Sequence, residues 1–428
     1  MTKKSLLHIL IALTFFSENS FCQDISFGKV VVEIGDKERE DALVSVSLDG
    51  IPFDQANKEL QLFEVNGKNK TKISSSIEQG YQARLWWVLS GVSKKSSKRS
   101  FELILTPLDT VKMEKAVPAV KVDKGADDLT ITVNDKNVLS YRISPLPAPE
   151  GVSHLYQRSG FIHPLWSPRG EVLTRVQPPD HYHHVGIWNP WTHTEFEGRK
   201  IDFWNLKEGE GTVKTKKVAL IESSDIMGRF KAIHEHVDLS APDPSGSKIA
   251  INEEWEVRVW NVDPDSKIWL VDFLSSMNCD SGSPLTIEKY RYEGFGFRAT
   301  EKWDDNTATL LTSLGKNKSD GNATRARWCD VNGVSDFGTS GILFMTHPSN
   351  FNYPEQLRIW PTGSNEGKEN VFFNFNPAQD RDWKLLPGKN YVLKYRMMVY
   401  DGKITKEKAE QVWYDFVNPP KAELVLNK

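Results

Sequence analysis

The sequence predicts an all-β chain built from antiparallel sheets packed face to face, and three observations carry that expectation. Short stretches alternate apolar and polar residues with a period of two, as Val44, Val46 and Leu48 do around Ser45 and Ser47. Turn signals such as Asp49-Gly50, Asn66-Gly67 and Pro387-Gly388 separate them. Only one stretch repeats at helical spacing: Ala409, Val412, Trp413 and Phe416, after a cap at Thr405 and before the stop Asn418-Pro419-Pro420.

The chain divides into an export signal over 1–22, a small β-sandwich over 23–115 and a large β-sandwich over 125–428. In the first segment Lys3 and Lys4 precede an apolar run from Leu6 to Phe16, too short to span a bilayer, and cleavage is expected after Cys22. A lipid anchor on Cys22 is the alternative. The expected location is therefore periplasmic or secreted, with no membrane span afterwards. Cys279 and Cys329 would remain, either paired or as two buried thiols.

In the small domain, Phe101, Leu103 and Leu105 mark one strand face. In the large domain Leu129, Ile131 and Val133 form the next, and Pro145, Pro147 and Pro149 then stiffen a connection. Trp255, Val257 and Val259 alternate with Glu254, Glu256 and Arg258, and Tyr391 to Tyr400 gives a closing strand. With 428 residues there is room for two cores. A net charge of −3 gives no reason to expect nucleic acid as a partner. Fourteen tryptophans favour a ligand with faces to stack on, such as a sugar.

The chemistry concentrates between Phe161 and Trp204. Five of the ten histidines lie there, His163, His181, His183, His184 and His193, with Arg175, Asp180, Glu195 and Asp202. Imidazoles beside carboxylates suit proton transfer, metal binding or sugar recognition. If Asp180-His181-Tyr182-His183-His184 is a strand, His181 and His183 share a face and could be two ligands of a metal. Pro178, Pro179 and Gly186 favour a loop instead, where that parity lapses. The competing reading is a buried histidine pair satisfied by backbone. A turn at Ser167-Pro168-Arg169-Gly170 would fold His163 toward Arg175, to hold one ligand jointly, unless Arg175 pairs with Asp180. Further on, Glu293 and Arg298 flank two glycines, and His347 and Asn350 sit in a turn. Each is explained equally well by a salt bridge or a turn.

Taken together, PPDHYHHVGIWNPW, IDFW, YEGFGFR, ARWCDVNG, MTHPSNFNYPEQLRIWP and LLPGKNYVLKYRMMVYDG resemble a bacterial family known as methane-oxygenase (PmoA)-like, over about Gly160 to Gly402. Asp180, His181, His183, His184 and Gly186 match its Pro-Pro-Asp-His-x-His-His-Arg-Gly core, with Val185 where arginine is usual. The resemblance implies a secreted protein of polysaccharide-degrading bacteria, and the closing strand is similar to galactose-mutarotase-like sandwiches, which bind sugars on a concave sheet.

Three functions follow as expectations. The first is a secreted enzyme of polysaccharide or oligosaccharide degradation, by hydrolysis, elimination or epimerisation. In it His183, His184, His347, Glu293 and Asp180 are the catalytic candidates, and His163, Arg175, Trp188, Arg298 and Asn350 bind substrate. The second is a metal-dependent oxygenase using His181 with His183 or His184. The third is a glycan-binding module stacking sugars on Trp188, Trp191 and Trp204. A carbohydrate is the expected partner throughout, and no cofactor is identified.

Overall fold

The computed structural model describes residues 25–49, 58–80, 82–107, 117–242 and 246–427. The expected export signal and Cys22 lie outside them. Strands dominate, and the single α-helix among the described residues is Lys406–Val417. Thr405 caps it by accepting the Lys408 N–H, and Asn418 ends it. No helix among these residues is long and apolar enough to cross a membrane.

Two eight-stranded antiparallel sheets make the large sandwich. The first runs Gln356–Ile359, Phe372–Asn376, Gly296–Arg298, Ile187–Trp188, Phe161–Leu165, Lys136–Arg142, Asp128–Val133 and Val120–Lys124. The second runs Gly211–Glu222, Met227–Asp238, Lys248–Trp260, Ile268–Cys279, Tyr391–Asp401, Gly338–Thr346, Trp328–Ser335 and Ala308–Thr312. Alternation assigns each sheet an inner and an outer face. Ile162, Ile187, Phe297 and Phe373 of the first sheet meet Val257, Phe273, Phe344 and Met397 of the second in one core. Phe161, Trp188 and Phe372, one residue out of step, form an apolar patch on the outer face of the first sheet. On the outer face of the second, Trp260, Trp328, Met345 and Met398 pack against the helix through Ala409 and Trp413.

The small sandwich faces a five-stranded sheet with a three-stranded one across Val32, Val44, Leu62, Trp87 and Leu103. Its outermost strand beside Ile25–Glu33 is Lys421–Leu426, contributed from the far end of the sequence. Trp86 meets Trp260 at 4.8 Å, and Arg229 donates to Glu78 at 2.7 Å, joining the two sandwiches. Cys279 and Cys329 are separate buried thiols, which resolves the two alternatives left by the sequence.

Candidate functional site

Between the paired strands of the first sheet, the chain makes a compact excursion over Gln177–His184. The Gln177 N–H donates to the His184 carbonyl, His184 to His181 and His181 to Pro178, so backbone bonds close the loop on itself. Gly186 anchors its exit at φ 67°, and a β-carbon there would lie 2.2 Å from the Ile162 carbonyl oxygen. The histidine motif is therefore a turn standing on the outer sheet face, and strand parity does not govern it.

Three imidazoles stack above the apolar patch. His184 lies deepest, 2 % exposed, packed on Phe372 and Trp188 with ring centroids 5.2 and 5.1 Å away. His181 stacks on His184 at 4.7 Å, and His183 meets His184 edge to face at the same distance. Asp180 accepts from the Arg298 guanidinium at 2.7 Å and contacts His181 at 3.0 Å. Arg298 is fully buried, lies over Trp360 at 4.6 Å and also donates to the Glu369 carbonyl. Burial would raise the Asp180 carboxyl, but its bond to His181 and the Arg298 charge outweigh this and hold it well below its usual value.

Burial pushes His183 down to about 3, assisted by the charges of His181, Arg158 and Arg298. His184 is likewise held far down, first by burial. Both rings are neutral bases around neutrality. The two differ in what they reach. His184 Nδ1 lies 3.4 Å from an Arg298 N–H, whereas His183 makes no hydrogen bond to the described residues and lines an open cavity of about 270 Å³. The remaining wall includes His181, Thr192, Trp204, Asn205, Tyr290, Arg291, Tyr292 and Trp360. Among the described residues, no three His, Cys, Asp or Glu side chains are grouped to hold a metal ion.

Of the residues singled out from the sequence, Asp180, His183, His184 and Arg298 converge here. His163 and Arg175 do not line the cavity, and each is bonded to a different partner. His163 Nδ1 bonds the Thr174 hydroxyl at 2.8 Å, and burial lowers the ring to about 4. Arg175 pairs with Glu369, not with Asp180. Trp188 is wholly buried beneath the histidines, so it supports the floor and offers no face to a ligand. Trp191 is sealed against Trp383, and Trp204 is 2 % exposed, so of the three expected stacking tryptophans only Trp204 touches the cavity.

Glu293 is also enclosed. Its two oxygens accept the backbone N–H groups of Thr192 and His193, both at 2.8 Å, while burial raises the carboxyl well above its usual value. That arrangement ties the loop carrying Thr192 to the Glu293 strand, and it turns the carboxyl away from solvent. His347 and Asn350 do not approach the pocket. His347 follows the strand Gly338–Thr346 of the second sheet and packs against Phe416 of the helix, on the opposite layer of the sandwich. Asn350 knots the same turn, donating to Thr346 and Glu355 and accepting from Lys394.

Sequence reasoning missed Tyr290, Tyr292, Arg291 and Trp360, the pocket's far wall. Trp360 and Tyr292 stood inside motifs already noted, but nothing local linked them to the histidines. A second polar cluster was missed altogether, inside the sandwich. Glu253, wholly buried, accepts from His236 at 2.8 Å, Ser275 at 2.5 Å and Asn189 at 2.8 Å, while His234 bonds Tyr141 at 2.5 Å. Burial would raise the Glu253 carboxyl, but the two imidazoles turned to it outweigh that and keep it low.

The chain has similarity to several solved structures, all at low identity. A glycosyl hydrolase family 38 protein from Enterococcus faecalis matches at 11 % identity and a TM-score of 0.43, over 93 % of this chain and 47 % of its own. An α-mannosidase from Enterococcus faecalis V583 matches at 12 % and 0.42, over 93 % and 46 %. The heparan sulfate lyase HepC from Pedobacter heparinus matches at 10 % and 0.30, over 65 % and 34 %. The chain thus spans about half or less of the length of each. No curated protein matches the sequence. A family model does match, over residues 128–414, a span that holds the histidine pocket and every strand of the two large sheets except Val120–Lys124, and the chain belongs to that family of unknown function, DUF6807.

Proposed function

We propose that the protein is an exported glycan-active enzyme that receives a sugar ring in the histidine pocket and uses His183 as a general base. The observation that carries this reading is an imidazole kept neutral by burial, free of any hydrogen bond to the described residues, on the wall of a cavity rimmed by aromatic rings. A neutral ring nitrogen with no hydrogen bond to the described residues keeps its lone pair open to a ligand, and an anionic group brought beside it would raise the low basicity that burial imposes. Tyr290, Tyr292 and Trp360 supply faces on which a pyranose can stack, and Asn205, Thr192 and Arg291 supply hydrogen-bonding groups for its hydroxyls.

The same geometry favours proton transfer at carbon over hydrolysis. Glycoside hydrolysis generally relies on two carboxyl groups flanking the bond. Among the described residues no carboxylate lines this pocket, Asp180 is engaged by Arg298 and His181, and Glu293 faces backbone amides. Elimination or epimerisation needs only a base and a proton donor. The resemblance of the histidine motif to the methane-oxygenase (PmoA)-like family fits a role in polysaccharide breakdown in the same sense.

The test is incubation of the protein with a panel of plant and algal polysaccharides and their oligosaccharides, with products read by mass spectrometry. The expected product has the mass of an unsaturated or epimerised sugar and disappears in His183→Ala. Saturable binding without product in any sample would replace catalysis by a glycan-binding role, the reading that the aromatic rim alone would support. Absence of both binding and product would remove the carbohydrate reading.

A further inference from the structure

The hydroxyl of Tyr292 is unusually constrained. Arg358 donates an N–H to its oxygen at 2.8 Å and the Trp360 indole N–H donates at 3.2 Å. A phenol oxygen has two acceptor positions and one proton. With both acceptor positions taken by N–H donors, the O–H must point elsewhere as a donor, and the side chain lines the histidine pocket. Arg358 is itself fixed by Asn322, at 2.9 Å, so the phenol is held from behind by a positioned cation.

A second feature lies next to it. The Arg291 guanidinium borders the same cavity, beside the rings of Tyr290 and Tyr292 at 5.9 and 5.4 Å, and it forms no ion pair with the described residues. The other arginine of the site, Arg298, already has Asp180 as its partner. One cation at the pocket is thus left to meet a charge brought by the ligand.

Resting on the proposed use of His183 as base, we propose that Tyr292 is the proton donor of the reaction and that the substrate is a uronic-acid-containing glycan cleaved by β-elimination. His183 removes the hydrogen from the carbon next to the sugar carboxylate. That C–H electron pair becomes the carbon–carbon double bond while the neighbouring C–O bond breaks, and the Tyr292 proton passes to the departing oxygen. The imidazolium proton returns to the phenolate through solvent, so the enzyme is restored with no water, oxidant or cofactor consumed. Arg291 offsets the substrate carboxylate, whose charge would otherwise oppose removal of the adjacent hydrogen. Arg358 stabilises the negative charge left on the Tyr292 oxygen and serves as a positioning residue.

The experiment uses oligouronates in deuterated water, following the ultraviolet absorbance of the unsaturated product and deuterium uptake at the carbon beside the carboxylate. The native protein should form the chromophore. Tyr292→Phe should lose elimination by about 10²–10⁴-fold, the usual worth of a placed acid, yet still exchange that hydrogen, because His183 remains. His183→Ala should lose both. Arg358→Met, which leaves the phenol in place, should slow elimination while leaving exchange unaltered. Elimination by Tyr292→Phe at the native rate would overturn the donor assignment and leave the base intact. Failure of the native protein to eliminate any oligouronate while it converts neutral glycans would overturn the substrate class alone. Products that have gained water would overturn the elimination.

Discussion

The molecule contains two clusters of histidine and carboxylate, and they behave oppositely. Inside the sandwich, His234 and His236 project from the strand Met227–Asp238 toward Glu253 and lie at zero exposure. Glu253 there collects three side-chain partners. On the outer face, Asp180 is consumed by Arg298 and His181, and His183 makes no hydrogen bond to the described residues and borders open space. The interior cluster turns most of its polar groups on one another, while Nδ1 of His234 and of His236 and Oδ1 of Asn189 find no hydrogen-bond partner among the described residues. The outer cluster leaves one base unspent. Composition alone cannot separate the two, because both are histidines next to an acid. What separates them is access: His234 and His236 are sealed in the core, whereas His183 lines a cavity that a ligand can enter.

Several experiments would break or sharpen that contrast. The largest effect is expected for His183→Ala, with turnover of whatever glycan is converted falling about 10²–10⁴-fold and stability changing by less than ~1 kcal/mol. A comparable loss of stability would reassign His183 to structure. Next comes Glu253→Ala, which should destabilise the fold by about 3–5 kcal/mol in denaturant or thermal unfolding, since it strips partners from His236, Ser275 and Asn189 in a dry interior. A cost below ~1 kcal/mol would mean that water reaches this cluster.

Acid should act on the outer cluster by a predictable route. His183 lies at about 3 and His163 at about 4, both lowered from 6.5 by burial. The unfolded chain therefore takes up protons first. Their contribution to stability is complete above about pH 6.5 and is lost as pH falls through the folded values, toward pH 3. His183→Gln should recover on the order of 2 kcal/mol of stability near pH 4 relative to the native protein, and equal acid sensitivity of the two would contradict the burial. The smallest effect is expected for His347→Ala. On the opposite layer it should change turnover less than about twofold and stability by ~0.5 kcal/mol, and a tenfold loss of turnover would bring the helix side into the chemistry.

Much of the architecture was legible in the sequence because period-two alternation is a local signal. Val44, Leu103, Ile131 and Val257 were assigned inward from their neighbours alone, and each lies in a core. The capped helix was legible for the same reason. The histidine loop was recognisable from Pro178, Pro179 and Gly186, which argue against a regular strand. Its partners were not. Tyr292 and Trp360 come from segments more than a hundred residues away, brought in by sheet order. Glu293 misled because a buried carboxyl bonded to backbone amides looks, in sequence, like any acid beside a flexible glycine. His234 and His236 were passed over because His-x-His on an amphipathic strand gives no sign of whether its polar face meets solvent or a buried glutamate.

The strand Lys421–Leu426 has a consequence for how the protein is made. During synthesis the strand Ile25–Glu33 leaves the ribosome before the large sandwich, yet the neighbour that covers its outer edge, Lys421–Leu426, is translated only after it. Until then that edge offers unpaired amides and carbonyls to any other nascent chain. The small sandwich is begun before the large one and completed after it, and deleting Lys421–Leu426 should show itself as aggregation of an otherwise complete large sandwich.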